Sequence, residues 1–183
     1  MKALIDTLRY IKNLELIDYL GFFKIKTDNS LIKEFEEDFK EKPKNIIFVC
    51  TGNICRSAYA ERKLHSMTND FNLSSAGLHT NDGKDANPGA IKASSRRNID
   101  LSQHKTSIAT DKKLSQADLI LIKDSGHYKL IKDEFKHKTK FLGIYAENKR
   151  TSIKDPYGQS QEVFDRCFDQ IDSSLENLLK YLA

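Results

Sequence analysis

The sequence predicts an α/β fold: a four-stranded parallel sheet flanked by helices over residues 45–183, with a helical N-terminal extension over residues 1–44. Three observations predict it. Short, wholly apolar, β-branched runs recur along the second part of the chain, and segments with helical spacing follow them. These runs lack the polar alternation of a strand with one wet face, so they belong in a sheet covered on both sides. Strand and helix alternate in order, which favours parallel pairing with crossover connections.

The extension has a different grammar. Leu4, Leu8, Ile11 and Leu14 repeat at helical spacing, Leu16, Ile17 and Leu20 follow, and Gly21 is the stop. Ser30 is the N-cap of a second short helix with Leu31, Phe35 and Phe39 on one face. The acidic run Glu36-Glu37-Asp38 and the segment from Lys40 to Lys44, with Pro43, read as a solvated hinge. Acidic and basic side chains cancel over residues 1–44, which weakens an electrostatic membrane anchor. A helical pair packed on the domain and a dimerisation arm that would make a homo-oligomer remain as alternatives.

From Asn45 the elements alternate. Ile46-Ile47-Phe48-Val49 is the first buried strand, and a helix follows from Arg56 to Ser66 with Ala60 and Leu64 inward. Leu73 to Ala76 is the second strand. Pro88 opens a helix that runs to Arg97. Ala117 to Ile122 is the third strand, and a helix after Asp124 leads to the fourth, Thr139 to Gly143. A long helix from Gln161 to Leu182 closes the chain, with Val163, Cys167, Ile171, Leu175 and Leu178 on its apolar face.

Composition narrows the function. Hydrophobic residues make up 39% and charged residues 31% of 183, which excludes a disordered chain. A net charge of +4 is too small for a nucleic-acid binder and compatible with an anionic substrate held in one pocket. No apolar run approaches the roughly 20 residues that span a bilayer, so no stable membrane insertion is expected. Met1 to Tyr10 carries Asp6 and lacks the apolar core of a secretory signal. Three cysteines make no disulfide framework, so a reducing cytoplasm is the expected compartment and cysteine becomes a candidate reagent. The five histidines are scattered without ligand spacing, and no metal or other cofactor is implied.

The chemistry points to Cys50-Thr51-Gly52-Asn53-Ile54-Cys55-Arg56-Ser57, between a buried strand and a helix. A loop curling into a helix N-terminus aims backbone N–H groups at one spot, and with the helix dipole they make an anion site. Those donors favour thiolate over thiol at a cysteine opening the loop. Arg56 can grip two oxygens of an oxyanion through its planar fork. Gly52 is expected to take a backbone angle that other residues resist. Asn53 can fasten the loop through its amide, and Ser57 can donate to the sulfur of Cys50. Further on, Asp155-Pro156-Tyr157 offers an acid on a stiff turn beside an aromatic face.

Val49 to Ser57 resembles the signature of the low-molecular-weight protein tyrosine phosphatases. The resemblance runs from Asn45 to the C-terminus and includes Ser75-Ala76-Gly77 and Asp155-Pro156-Tyr157. It implies a phosphoric monoester hydrolase, a protein tyrosine phosphatase working through a phosphocysteine. Cys50 would be the nucleophile, Asp155 the acid and then the base, and Arg56 the clamp. Thr51, Gly52, Asn53, Ile54, Cys55, Ser57 and Tyr157 would bind the substrate. Ser75 and His104 would brace the loop with Asn53 and Ser57, and Cys55 could form a reversible disulfide with Cys50. Cys167, on the apolar face of the last helix, reads as core.

Asp155 to Ser160, followed by Glu162 and Phe164, and the segment Gly77 to Lys84 without a cleft aromatic, resemble the bacterial branch tied to capsule and exopolysaccharide export. That branch implies a phosphotyrosine protein as partner, namely an autophosphorylating bacterial tyrosine kinase. Departures are Ala58 for a more usual proline, Lys123-Asp124 for methionine-aspartate, and a polar His79 to Asp82. Two rivals fit less well. A thiol-dependent arsenate reductase needs relay cysteines, and none lies between Cys55 and Cys167. A noncatalytic phosphate-binding module needs neither thiolate nor acid.

Overall fold

The computed structural model describes residues 42–182. The two helices expected within residues 1–44 lie outside the described residues. Four parallel strands form one sheet in the order β2-β1-β3-β4. They are β1 (Asn45–Cys50), β2 (Asn72–Gly77), β3 (Leu119–Ile122) and β4 (Thr139–Phe141). The helices are α1 (Arg56–Met67), α2 (Pro88–Ser95), α3 (Asp111–Gln116), α4 (Ser125–Leu130), α5 (Asp133–Lys136) and α6 (Gln161–Leu182).

The central strands are the apolar ones. Ile46 to Val49 and Leu119 to Ile122 are all buried, as residues covered on both faces must be. β2 is an edge strand, and its Asn72, Leu73 and Ser74 keep some exposure. β1 lies between β2 and β3, so the chain leaves it to one side and later returns to the other. That reversal opens a crevice at the carboxyl end of β1, where ligands of such sheets bind.

α6 closes one face of the molecule. Phe164, Cys167, Phe168, Ile171, Leu175 and Leu178 are buried along it. Phe168 stacks on Tyr59 of α1 with ring centres 3.8 Å apart. Each such ring, fully buried, contributes roughly 1.5–3 kcal/mol of transfer free energy. Arg97 ties α2 to α6 through Asp165 and Asp169. Among the described residues no helix is long and apolar enough to cross a membrane.

Several element limits differ from the sequence reading, each for a local reason. The third strand begins at Leu119 rather than Ala117, because Asp118 turns its carboxylate to the N–H groups of Lys44 and Asn45, at 2.9 and 2.8 Å. The fourth strand ends at Phe141, and Leu142–Tyr145 winds into a 3-10 turn. α2 stops at Ser95, two residues before Arg97. The segment after Asp124 is two short helices with Ile131 buried between them. α3 went unpredicted, because only one buried apolar residue, Leu114, marks it, although Thr110 caps it by accepting from Lys113 N. On α6, Phe164 takes the inward position expected of Val163, which is half-buried.

Candidate active site

The loop from Cys50 to Cys55 fills the crevice, and α1 begins at its end. Cys55 stands at the N-cap without a capping side chain, so the first N–H groups of α1 are left for whatever the loop holds.

Asn53 is the keystone. It is fully buried with φ of 54°, a left-handed conformation that asparagine visits more readily than most residues. Its side chain holds that geometry. Nδ2 donates to Ser57 Oγ at 2.9 Å and Ser75 Oγ at 2.8 Å, and Oδ1 accepts from Ser107 N at 2.8 Å. Its carbonyl accepts from His104 Nε2 at 2.8 Å, which places a proton on that ring nitrogen. Ser75 in turn donates to Glu61 Oε2 at 2.5 Å. The structure thus brings Asn53, Ser57, Ser75 and His104 together, with Ser107 and Glu61 beside them.

Gly52 corrects an expectation. It has no left-handed backbone angle, and a Cβ there would meet only the Ile54 side chain at 3.4 Å. The strained angle falls on Asn53 instead. The glycine that the loop requires is Gly77, where a Cβ would stand 2.9 Å from Gly52 C and from Thr51 O. Beside it, Leu78 N and His79 N donate to the carbonyls of Cys50 and Thr51 at 2.9 and 2.8 Å.

Cys50 Sγ lies 3.0 Å from Ser57 Oγ and accepts from Asn53 N at 3.3 Å. Ser57 Oγ accepts from Asn53 Nδ2, and its one proton has two acceptors in reach, Ala76 O at 3.5 Å and the nearer sulfur of Cys50. Cys50, Cys55 and Cys167 are all unpaired. Burial, with Asp155 and Cys50 adding to it, pushes the Cys55 thiol well above its ordinary range. Burial likewise pushes Cys167 up to about 12, so both remain thiols at neutral pH.

Arg56 is buried and shared between two carboxylates. Nη1 donates to Asp124 Oδ2 and to Ile153 O, both at 3.0 Å, and Nη2 donates to Asp155 Oδ2 at 2.6 Å. Burial opposes its charge, but Asp155, Cys50 and Asp124 outweigh that and raise its pKa. Its buried Nε–H has no partner among the described residues. Asp155 Oδ1 accepts from Tyr157 N at 3.1 Å, which fixes the turn. The Tyr157 side chain stands over the mouth with 61% of its surface exposed. Together with Ile54 and His79 these groups line a cleft of about 260 Å³.

Three residues here carry no sequence signal for a role. Asp124 caps α4 by accepting from His127 N at 3.0 Å while it holds Arg56. His127 is buried, with Nε2 3.0 Å from Thr51 Oγ1, and its Nδ1 lies 3.2 Å from Asp124 Oδ2 but out of line for a hydrogen bond. Burial pushes its pKa down to about 4 against the pull of Asp124, so the ring is neutral at pH 7. Lys123 is fully buried at the end of β3, with Nζ over the Phe48 ring. Among the described residues no group of three His, Cys, Asp or Glu side chains is placed to hold a metal ion.

Residues 45–183 match the family model described as low molecular weight phosphotyrosine protein phosphatase. A relative from Ralstonia nicotianae, a probable low molecular weight protein-tyrosine-phosphatase EpsP, is 31% identical over 73% of this chain and 92% of its own. A protein-arginine-phosphatase of Bacillus subtilis is 32% identical over 75% of this chain and 96% of its own. The solved structure of Vibrio vulnificus Wzb in complex with benzylphosphonate superposes with a TM-score of 0.70 at 33% identity, over 75% of this chain and 98% of that one.

Proposed function

Because the chain belongs to the low molecular weight phosphotyrosine protein phosphatase family, we propose that it hydrolyses phosphotyrosine in proteins through a phosphocysteine on Cys50. One observation carries the reading: Cys50 Sγ, held by Asn53 N and Ser57 Oγ, shares one cleft with Arg56 and Asp155, which are joined to each other. Cys50 attacks phosphorus, the P–O bond breaks, and Asp155 gives its proton to the departing phenol oxygen. Asp155 then takes a proton from water, which attacks phosphorus, and the S–P bond breaks to release phosphate and the Cys50 thiolate. The loop N–H groups and Arg56 hold the equatorial oxygens in both steps. The unpartnered Nε–H of Arg56 supports this, since a bound oxyanion offers it an acceptor. An arriving phosphate also competes with Asp155 for Nη2, which frees Oδ2 to meet the leaving oxygen.

The similarity to an arginine phosphatase raises phosphoarginine as a second substrate. The apolar Ile54 favours a phenol over a guanidinium, because its side chain offers no hydrogen-bond acceptor, and the ring of Tyr157 gives a phenol a face to stack on. The partner we infer is the tyrosine-rich tail of an autophosphorylating bacterial tyrosine kinase, in a reducing compartment where the three thiols persist. Matched phosphotyrosine and phosphoarginine peptides decide the substrate. Turnover of the first at least tenfold faster is expected, and preference for the second overturns it.

Residues 1–44 are, in this reading, an appended segment outside the chemistry. A chain begun at Lys42, which keeps the contact of Lys42 with the Phe71 ring, is expected to turn over a small aryl phosphate at the full-length rate. A folded but inactive truncation would place that segment in the active site.

A further inference from the structure

Lys123 has none of its surface exposed and directly follows β3. The pairing of β1 with β3 sets Ile46 opposite Leu119, Ile47 opposite Ile120 and Phe48 opposite Leu121. Continued by two residues, that register sets Cys50 opposite Lys123. Opposed residues on neighbouring strands share a face, so the amine lies on the same side of the sheet as the Cys50 side chain. Its Nζ stands 4.7 Å from the centre of the Phe48 ring and makes one long hydrogen bond, 3.3 Å to Leu121 O. A ring face and one carbonyl are poor compensation for a permanent ammonium in a sealed site.

Charges on several neighbouring elements act on Lys123. Burial pushes its pKa down to about 7, Arg56 of α1 pushes the same way, and Cys50 of β1, Cys167 of α6 and Asp124 pull it back. His127 of α4 is in turn influenced by Lys123, and by Asp155. The other nearby cation, Arg56, is already divided between Asp124 and Asp155. Negative charge arriving at the loop therefore meets a guanidinium partly spent on carboxylates and an amine able to become charged.

We propose that Lys123 is a positioning residue of the oxyanion site, an internal cation that takes a proton from solvent when an anion enters the Cys50 loop and returns it when the anion leaves. The proposal rests on reading that loop as the oxyanion site. In the free protein the amine loses its charge as pH rises through about 7. An anion above it favours the cation, so the bound amine keeps its proton to higher pH. Its help to binding is full below about pH 7 and fades as pH rises through the pKa of the bound state.

Calorimetric titration of the full-length Cys50→Ser variant with sulfate, at pH 8 in buffers of different ionisation enthalpy, tests this. Sulfate does not titrate there and the variant has no Cys50 thiol, so net proton uptake on binding is expected. Adding Lys123→Met, which keeps the volume, is expected to abolish the uptake and weaken sulfate about tenfold at pH 6.5, as one unit of pKa coupling requires. Sulfate binding without uptake, or equal uptake in the double variant, overturns the proposal and leaves the oxyanion site standing. No sulfate binding at all overturns both. Should the methionine variant fail to fold, buffer dependence of the single variant still decides.

Discussion

The floor of the active site and its mouth are built on opposite principles. On the floor, Asn53 is fully buried and all its polar atoms are engaged, by Cys50, Ser57, Ser75, His104 and Ser107. At the mouth, the side chain of Asp155 keeps 46% exposure and Tyr157 has 61% of its surface exposed. The floor pays with a left-handed backbone angle and repays it with hydrogen bonds, which leaves the sulfur one place to be. The mouth holds Asp155 through one arginine contact and one turn bond, so that contact can be exchanged when substrate enters. A nucleophile needs fixed geometry, whereas an acid that meets a large leaving group needs room to move.

The comparison breaks most severely at Cys50. Cys50→Ser is expected to lower turnover of an aryl phosphate at least about 10⁴-fold while phosphate still binds, because the hydroxyl is far less nucleophilic and the N–H donors remain. Kinetics alongside phosphate titration check it, and near-normal turnover would remove Cys50 from the nucleophile's role. Asp155→Asn comes next. Loss of a general acid typically costs 10²–10⁴-fold, and roughly that loss is expected on a phosphotyrosine peptide. The loss should be much smaller on an activated aryl phosphate, whose oxygen leaves without a proton. Equal slowing of both would mean that Asp155 does not protonate the leaving group.

The two remaining changes separate floor from mouth. Asn53→Ala strands Ser57, Ser75 and the Ser107 N–H and removes the side chain that tolerates φ of 54°. A stability loss of about 3 kcal/mol with reduced kcat is expected, measured by denaturant melting and steady-state rates. Tyr157→Ala exposes nothing buried, so stability should move by less than about 0.5 kcal/mol. Its effect should be a several-fold rise in KM for the peptide and little change for a small aryl phosphate. If Asn53→Ala left stability untouched, the floor would be no more determined than the mouth.

The parts of the molecule legible in the sequence are those written in continuous chain. Cys50 to Ser57 announced itself because strand, loop and helix are successive, and backbone N–H groups gather wherever such a loop meets a helix. The buried strands showed through their unbroken apolar runs, and α6 through its spacing. Elements with few inward residues, such as α3 and the broken pair α4 and α5, left too little period to read.

The sequence by itself determined the Cys50 loop, Arg56 at its end and the strand that carries them, because those are local consequences of chain order. The tertiary structure alone decided what surrounds them. Asp124 reaches Arg56 across 68 positions, and His127 reaches Thr51 across 76. That meeting follows from β3 lying against β1, at the reversal in the order β2-β1-β3-β4. The same pairing, continued two residues past its end, sets Lys123 opposite Cys50, and burial there changes the chemistry of an amine that the sequence marked only as a departure from the more usual methionine.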